Sequence, residues 1–180
     1  MINVKIFIDP GHGGTNVGAV ANGLRESDIN LAVSIKLGDI LRINGYEIKY
    51  SRTSDINLTL SERAQMANNW NANYFVSIHC NSAASRQANG TETFVYKLGT
   101  PTAVYGQSIQ TQLVLQNGLR NRGLKAADFT VLTATKMPAA LVELAFISNP
   151  QEAKLLSTPE FQMRCARGIA NGIIDYVSSK

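Results

Sequence analysis

"FIDPGHGGTNVGAV", residues 7–20, decides how this chain is read. An apolar run stops at Asp9-Pro10 and breaks into a loop in which Gly11, Gly13 and Gly14 surround His12. Upstream, "VKIFID" (4–9) is apolar and β-branched apart from one lysine, which suits a strand buried on both faces. Downstream, "SDINLAVSIKLGDILRING" (27–45) places Ile29, Val33, Leu37 and Ile40 at helical spacing. Ser27 is the expected N-cap and Gly45 the stop. Strand, glycine-rich turn and helix in that order open an α/β layer.

The rest of the chain repeats the theme. "YEIKYS" (46–51) alternates as a strand, and "LTLSERAQMANNW" (58–70) is a helix opened by a Thr59/Glu62 capping box. "YFVSIHC" (74–80) and "TETFVY" (91–96) are strands separated by the polar loop "SAASRQANG". A helix follows from Pro101 to about Asn117, then "GLRNRGLKAADFT" (118–130), read as a mixed, basic loop. "PAALVEL" (138–144) is a buried strand, and Asn149-Pro150 opens a short helix. In the last helix Phe161, Cys165, Ile169 and Ile173 recur every four residues, which puts Cys165 on the core face. The order β-α-β-α-β-β-α-β-α-α implies a largely parallel sheet covered by helices on both faces. Its β-β step makes the sheet mixed.

Composition agrees with one globular domain spanning residues 1–180. At 180 residues the chain can bury a real core unaided, and 44% apolar with 17% charged residues is ordinary. No apolar stretch approaches the roughly 18 residues of a membrane span, and the N-terminus lacks the pattern of a signal peptide. Two cysteines, Cys80 and Cys165, are expected reduced and buried. A net charge of +4 points mildly to an anionic partner, but no basic run reads as a nucleic-acid patch.

Ligands in open α/β sheets sit beyond the carboxyl ends of the strands. His12 follows the first strand, His79 lies near the end of the third, and Glu143 lies near the end of "PAALVEL". The chain has two histidines, and both fall on this rim together with a carboxylate from an apolar strand. Two imidazoles suit zinc, whose catalytic sites use three protein ligands and keep a position open. Glu26 is the natural anionic third ligand, with Asp28 as its competitor and a helix-start acid as its plain structural reading. Two-residue periodicity sends Cys80 to the face opposite His79. Glu143 is then free to take a proton from water and hand it to a leaving amine, its pKa raised by apolar surroundings. The reaction class is metal-assisted hydrolysis of an acyl bond. The plain alternative for Glu143 is an ion pair with Arg52, Arg63 or Arg122.

These residues resemble the zinc-dependent N-acetylmuramoyl-L-alanine amidases of the third amidase type, which include bacterial autolysins, sporulation amidases and phage endolysins. Four blocks carry the resemblance in order: "IFIDPGHGG", "GLRESDINLAVSIKLGDIL", "LTLSERAQMANNWNANYFVSIHCNS" and "MPAALVELAFISNPQEAKLL". It implies zinc held by His12, Glu26 and His79, and Glu143 as the catalytic residue. It implies a twisted, mostly parallel six-stranded sheet flanked by helices. The activity implied is cleavage of the amide between muramic acid and L-alanine in peptidoglycan. No wall-binding module is visible, and the expected state is a monomer, or a domain joined to such a module in a longer protein. The missing leader pattern fits a phage lysin released at lysis, or a mother-cell enzyme.

Other readings are weaker. Asn81 is a candidate substrate contact, or it fixes the turn after its strand. "GHGGTNVG" has Asn16 where a dinucleotide loop needs its last glycine, and no G-K-[ST] or G-x-S-x-G motif occurs. A Cys80–His12 hydrolase leaves His79 and Glu143 unexplained. A zinc peptidase or carbohydrate deacetylase keeps the metal and changes the substrate. A non-catalytic wall-binding module has no use for the four rim residues.

Overall fold

The computed structural model describes residues 4–180. Within them, six strands form one sheet in the order β4-β1-β5-β8-β6-β7. These are β1 (Lys5–Pro10), β4 (Glu47–Tyr50), β5 (Tyr74–Asn81), β6 (Thr91–Val95), β7 (Asn121–Ala126) and β8 (Ala139–Phe146). The pairs β1–β4, β1–β5, β5–β8 and β6–β7 are parallel, and β6–β8 is antiparallel. The sheet is therefore mixed and mostly parallel, as expected.

Helices cover both faces. On one side α1 (Glu26–Ile43), α3 (Pro101–Asn117) and α6 (Pro159–Ser178) enclose the larger core, built on Ile6, Ile8, Val76, Ile78, Val142 and Leu144. Cys80 and Cys165 lie in this core as free, buried thiols. On the other side α2 (Leu60–Asn69) and the single turn α4 (Thr130–Thr133) cover Phe7, Phe75, Ala139 and Leu141. The short α5 (Pro150–Leu156) starts at Pro150, with the Asn149 side chain accepting from the Gln151 and Glu152 amides. The Thr59/Glu62 capping box forms at the start of α2. Among the described residues no helix is long and apolar enough to cross a membrane.

Three expectations need correction. Ser27 does not cap α1: the helix starts one residue earlier, at Glu26, and the cap position is Arg25, whose side chain makes no cap bond. The preceding loop removes the need, because the Glu26 and Ser27 amides donate to the Ala19 and Val17 carbonyls. Part of 118–130 is not loop but the edge strand β7. An edge strand carries charge without penalty, so Arg122 and Lys125 hid its pattern. Thirdly, β2 (Val20–Ala21) and β3 (Leu24–Arg25) form a small hairpin within the loop after β1. Its Asn22-Gly23 turn has positive φ at both residues, 50° and 77°, a hairpin signal present in the sequence.

Candidate metal centre

The carboxyl ends of β1, β5 and β8 meet at one rim. His12 leaves β1 with φ 60°, an uncommon conformation for a residue other than glycine. Two features hold it there. Gly13 and Asn16 exchange backbone hydrogen bonds at 2.7 and 3.2 Å, and the Arg63 guanidinium donates to the His12 carbonyl at 2.8 Å. Buried guanidiniums hold the two preceding carbonyls as well: Arg63 and Arg52 bond Pro10, and Arg52 bonds Gly11. Arg63 is anchored in turn on buried Asp9 at 2.8 Å, whose carboxylate also accepts from Ser51 and Ser77.

Into this frame α1 delivers Glu26 from its first position. Glu26 Oε1 lies 3.2 Å from His12 Nε2 and 3.0 Å from His79 Nδ1. The three potential ligand atoms fall within 4.8 Å of one another. Asp28, the competing acid, instead lies near Arg25 on the exposed side of α1. Burial alone would raise the Glu26 pKa, but hydrogen bonding to His12 and His79, with the Ala19 amide, holds it far below the usual carboxylate range. The His79 pKa is raised: burial opposes the charged ring, and Glu26 together with the Glu143 charge outweighs it.

The donor set fits a divalent cation. His12 Nδ1 lies 3.0 Å from Asn16 Oδ1, and the Gly18 amide approaches the same oxygen, which fixes the Asn16 amide orientation. With Nδ1 donating to Asn16, neutral His12 turns a lone pair at Nε2 toward the Glu26 carboxylate. Two acceptors that close need a proton or a cation between them. Asn16 is thus placed to orient the His12 imidazole, and Asn30, donating to Glu26 Oε1 at 3.3 Å, to orient the carboxylate, as outer partners do where such groups hold a metal. Neither residue stood out in the sequence; polar side chains in a loop and on a helix carry no periodic signal.

β8 runs between β5 and β6, so Glu143 pairs in register with His79 on one side and Glu92 on the other. None of the three arginines considered for it neutralises Glu143. Arg63 pairs with Asp9, Arg52 serves carbonyls, and Arg122 pairs with Glu92 at 3.0 Å, joined by Lys125. Glu143 Oε2 is buried with no hydrogen-bond partner. Burial pushes its carboxyl up to about 7; the His79 ring opposes the rise, and the Glu26 and Glu92 charges add to it. Such a carboxyl can both accept and return a proton near neutral pH. The Asn81 amide donates to Glu92 at 2.5 Å and its oxygen accepts from the Ser82 amide, bonds that fix the end of β5.

Residues 6–175 match the N-acetylmuramoyl-L-alanine amidase family. The chain belongs to that family. Its relatives include the sporulation-specific N-acetylmuramoyl-L-alanine amidase of Bacillus subtilis, 42% identical over 94% of this chain and 67% of that protein. The endolysin of Bacillus phage SPP1 is 38% identical over 97% of this chain and 66% of its own length. Among solved structures, the Clostridium difficile 630 N-acetylmuramoyl-L-alanine amidase superposes with a TM-score of 0.96 at 34% identity, covering 99% of this chain and 98% of that one. As a family member the chain is an amide hydrolase, and the substrate bond of the family's name joins N-acetylmuramic acid to L-alanine.

One consequence for this amidase concerns Gly11, where φ is not the constraint. A Cβ there would lie 2.3 Å from the His79 ring. Gly11→Ala is expected to displace the imidazole and weaken the binding of a divalent cation at this cluster by about 10–100-fold. Competition with a chromophoric chelator measures it; unchanged affinity would separate His79 from the metal site.

Proposed function

We propose that this chain is a zinc-dependent peptidoglycan amidase, a single catalytic domain that hydrolyses the N-acetylmuramoyl-L-alanine bond of the cell wall. His12, Glu26 and His79 hold the ion, and Glu143 carries the proton. A zinc ion in that position supplies a Lewis acid for the scissile carbonyl and acidifies a water. Glu143 accepts the proton of the attacking water as the new C–O bond forms. It then donates that proton to the departing nitrogen as the C–N bond breaks, and ends the cycle unchanged. Arg63 and Arg52 keep the His12 loop in place throughout, and Asn16 keeps the imidazole turned inward.

The observation that carries this reading is the unpartnered, buried oxygen of Glu143 beside a cluster of two imidazoles and a carboxylate. A structural glutamate would be paired, and a bare cluster would not need a neighbouring acid of raised pKa.

The test follows purified peptidoglycan by turbidity, with zinc measured in the same protein. About one zinc per chain is expected, the usual complement of such a site. Chelation should abolish clearing, and added zinc should restore it. Products should carry a new L-alanine N-terminus with the glycan intact. Released acetate would assign a deacetylase, an N-terminus inside the stem a peptidase, and tight wall binding without solubilisation a non-catalytic module.

A further inference from the structure

The cleft at the rim has two arms, and they differ in chemistry. One, of about 600 Å³, is polar; His12, Thr15, Asn16, Asn57, Thr59 and Arg63 face it. The other, of about 300 Å³, is walled by Leu60, Phe129, Val131 and Leu141, with Thr130 at its edge. His79 and Leu60 border both arms, His12 only the first, and Glu143 only the second. Phe129 is 39% exposed and Leu60 52%, although Phe129 is braced edge-on against Phe94 at 5.2 Å. These are large apolar surfaces facing an open arm.

We propose that the arms divide the substrate at its scissile bond: the apolar arm takes the peptide from L-alanine onward, and the polar arm takes the muramoyl sugar. The assignment rests on the amidase reading above. Its reason is the path of the proton. The atom that must be protonated for the bond to break is the amide nitrogen, and it belongs to the peptide fragment. The proton carrier has to lie within hydrogen-bond reach of that nitrogen, and Glu143 opens only into the apolar arm. The acyl carbon, which stays with the sugar, then lies toward His12. Chemistry agrees on both sides. A methyl side chain and the backbone after it gain from Leu141 and Phe129. Sugar hydroxyls need the donors and acceptors that Asn57 and Thr15 offer.

Three probes test this: N-acetylmuramoyl-L-alanine, the same unit with a longer peptide, and the same unit within a longer glycan. For each variant, kcat/KM is compared across the set. Phe129→Ala, and Thr130→Trp to fill the arm, are expected to cut the gain from lengthening the peptide by about tenfold. Both should leave the gain from lengthening the glycan unchanged. Asn57→Ala is expected to do the reverse. All three positions are exposed, so folding is checked simply by an unchanged melting temperature. The proposal is overturned by the opposite pattern, by equal loss of both gains, by Asn57→Ala sparing the glycan gain, or by a wild type that gains nothing from a longer peptide. Failure of the amidase reading looks different: zinc-loaded wild type would cleave the muramoyl-L-alanine bond in none of the three probes.

Discussion

Glu143→Gln is expected to fold, to bind zinc as the wild type does, and to hydrolyse muramoyl-L-alanine amides about 10²–10⁴-fold more slowly, the share a positioned acid–base contributes. Glutamine keeps the shape and removes the exchangeable proton. The same substitution should act oppositely on stability in the metal-free protein. The Glu143 carboxyl has its folded pKa raised, from 4.5 to about 7, so the fold favours its neutral form. That preference stabilises the protein fully below about pH 4.5 and fades as pH rises through 7, where the buried group must ionise. At pH 8 metal-free Glu143→Gln should therefore be more stable than wild type by on the order of 2–3 kcal/mol. At pH 4 the two should match. Urea denaturation at both values measures it. A variant that is slow but no more stable at pH 8 would mean that Glu143 ionises without cost, and one that stays near the wild-type rate would remove it from the reaction. A site that works by holding an acid where it is uncomfortable gives up stability for function.

How much of this was legible beforehand depends on which residues carry a local signal. His12, His79 and Glu143 were legible because each departs from the pattern around it: a histidine among glycines, and two polar groups ending apolar strands. The rule that sites gather at strand ends then put them together. Glu26 was less so, since an acid at a helix start has an ordinary explanation. That Arg63 is structural, tying α2 to a loop, is the ordinary reading of an arginine there, but which carbonyls the arginines hold was not legible, because it depends on distant backbone. Arg63 on α2 reaches two carbonyls where β1 ends, those of Pro10 and His12, besides that of Leu58 just ahead of its own helix, and nothing in "LSERAQ" names those partners. Glu92 carried no signal for a related reason. It is buried on β6, between β8 and the charged edge strand β7. Its partners, Arg122 and Lys125, lie in the stretch that read as loop. A strand recognisable only by its neighbours takes its ion pairs with it.

Arg63 carries the second large effect. Arg63→Met leaves the Asp9 carboxylate buried with two hydroxyls and without its ion-pair partner, Arg52 being the nearby cation that remains. Stranding one partner of a buried pair costs about 3–5 kcal/mol. The His12 carbonyl loses its donor as well, a further cost of about 1–3 kcal/mol where water cannot replace it, while the Pro10 carbonyl keeps Arg52. Asp9→Asn with Arg63→Met should recover part of the loss, because the stranded charge is gone. The two effects will then not add, and the cycle measures the ion pair itself. What the double variant should not recover is the metal site. The His12 carbonyl is still unheld, and a residue at φ 60° relaxes once its surroundings stop enforcing it. Zinc affinity should therefore stay low in the double variant although stability improves. Parallel recovery of both would reduce Arg63 to a stability element. Loss of zinc binding at restored stability would show that the buried ion pair serves the histidine above it.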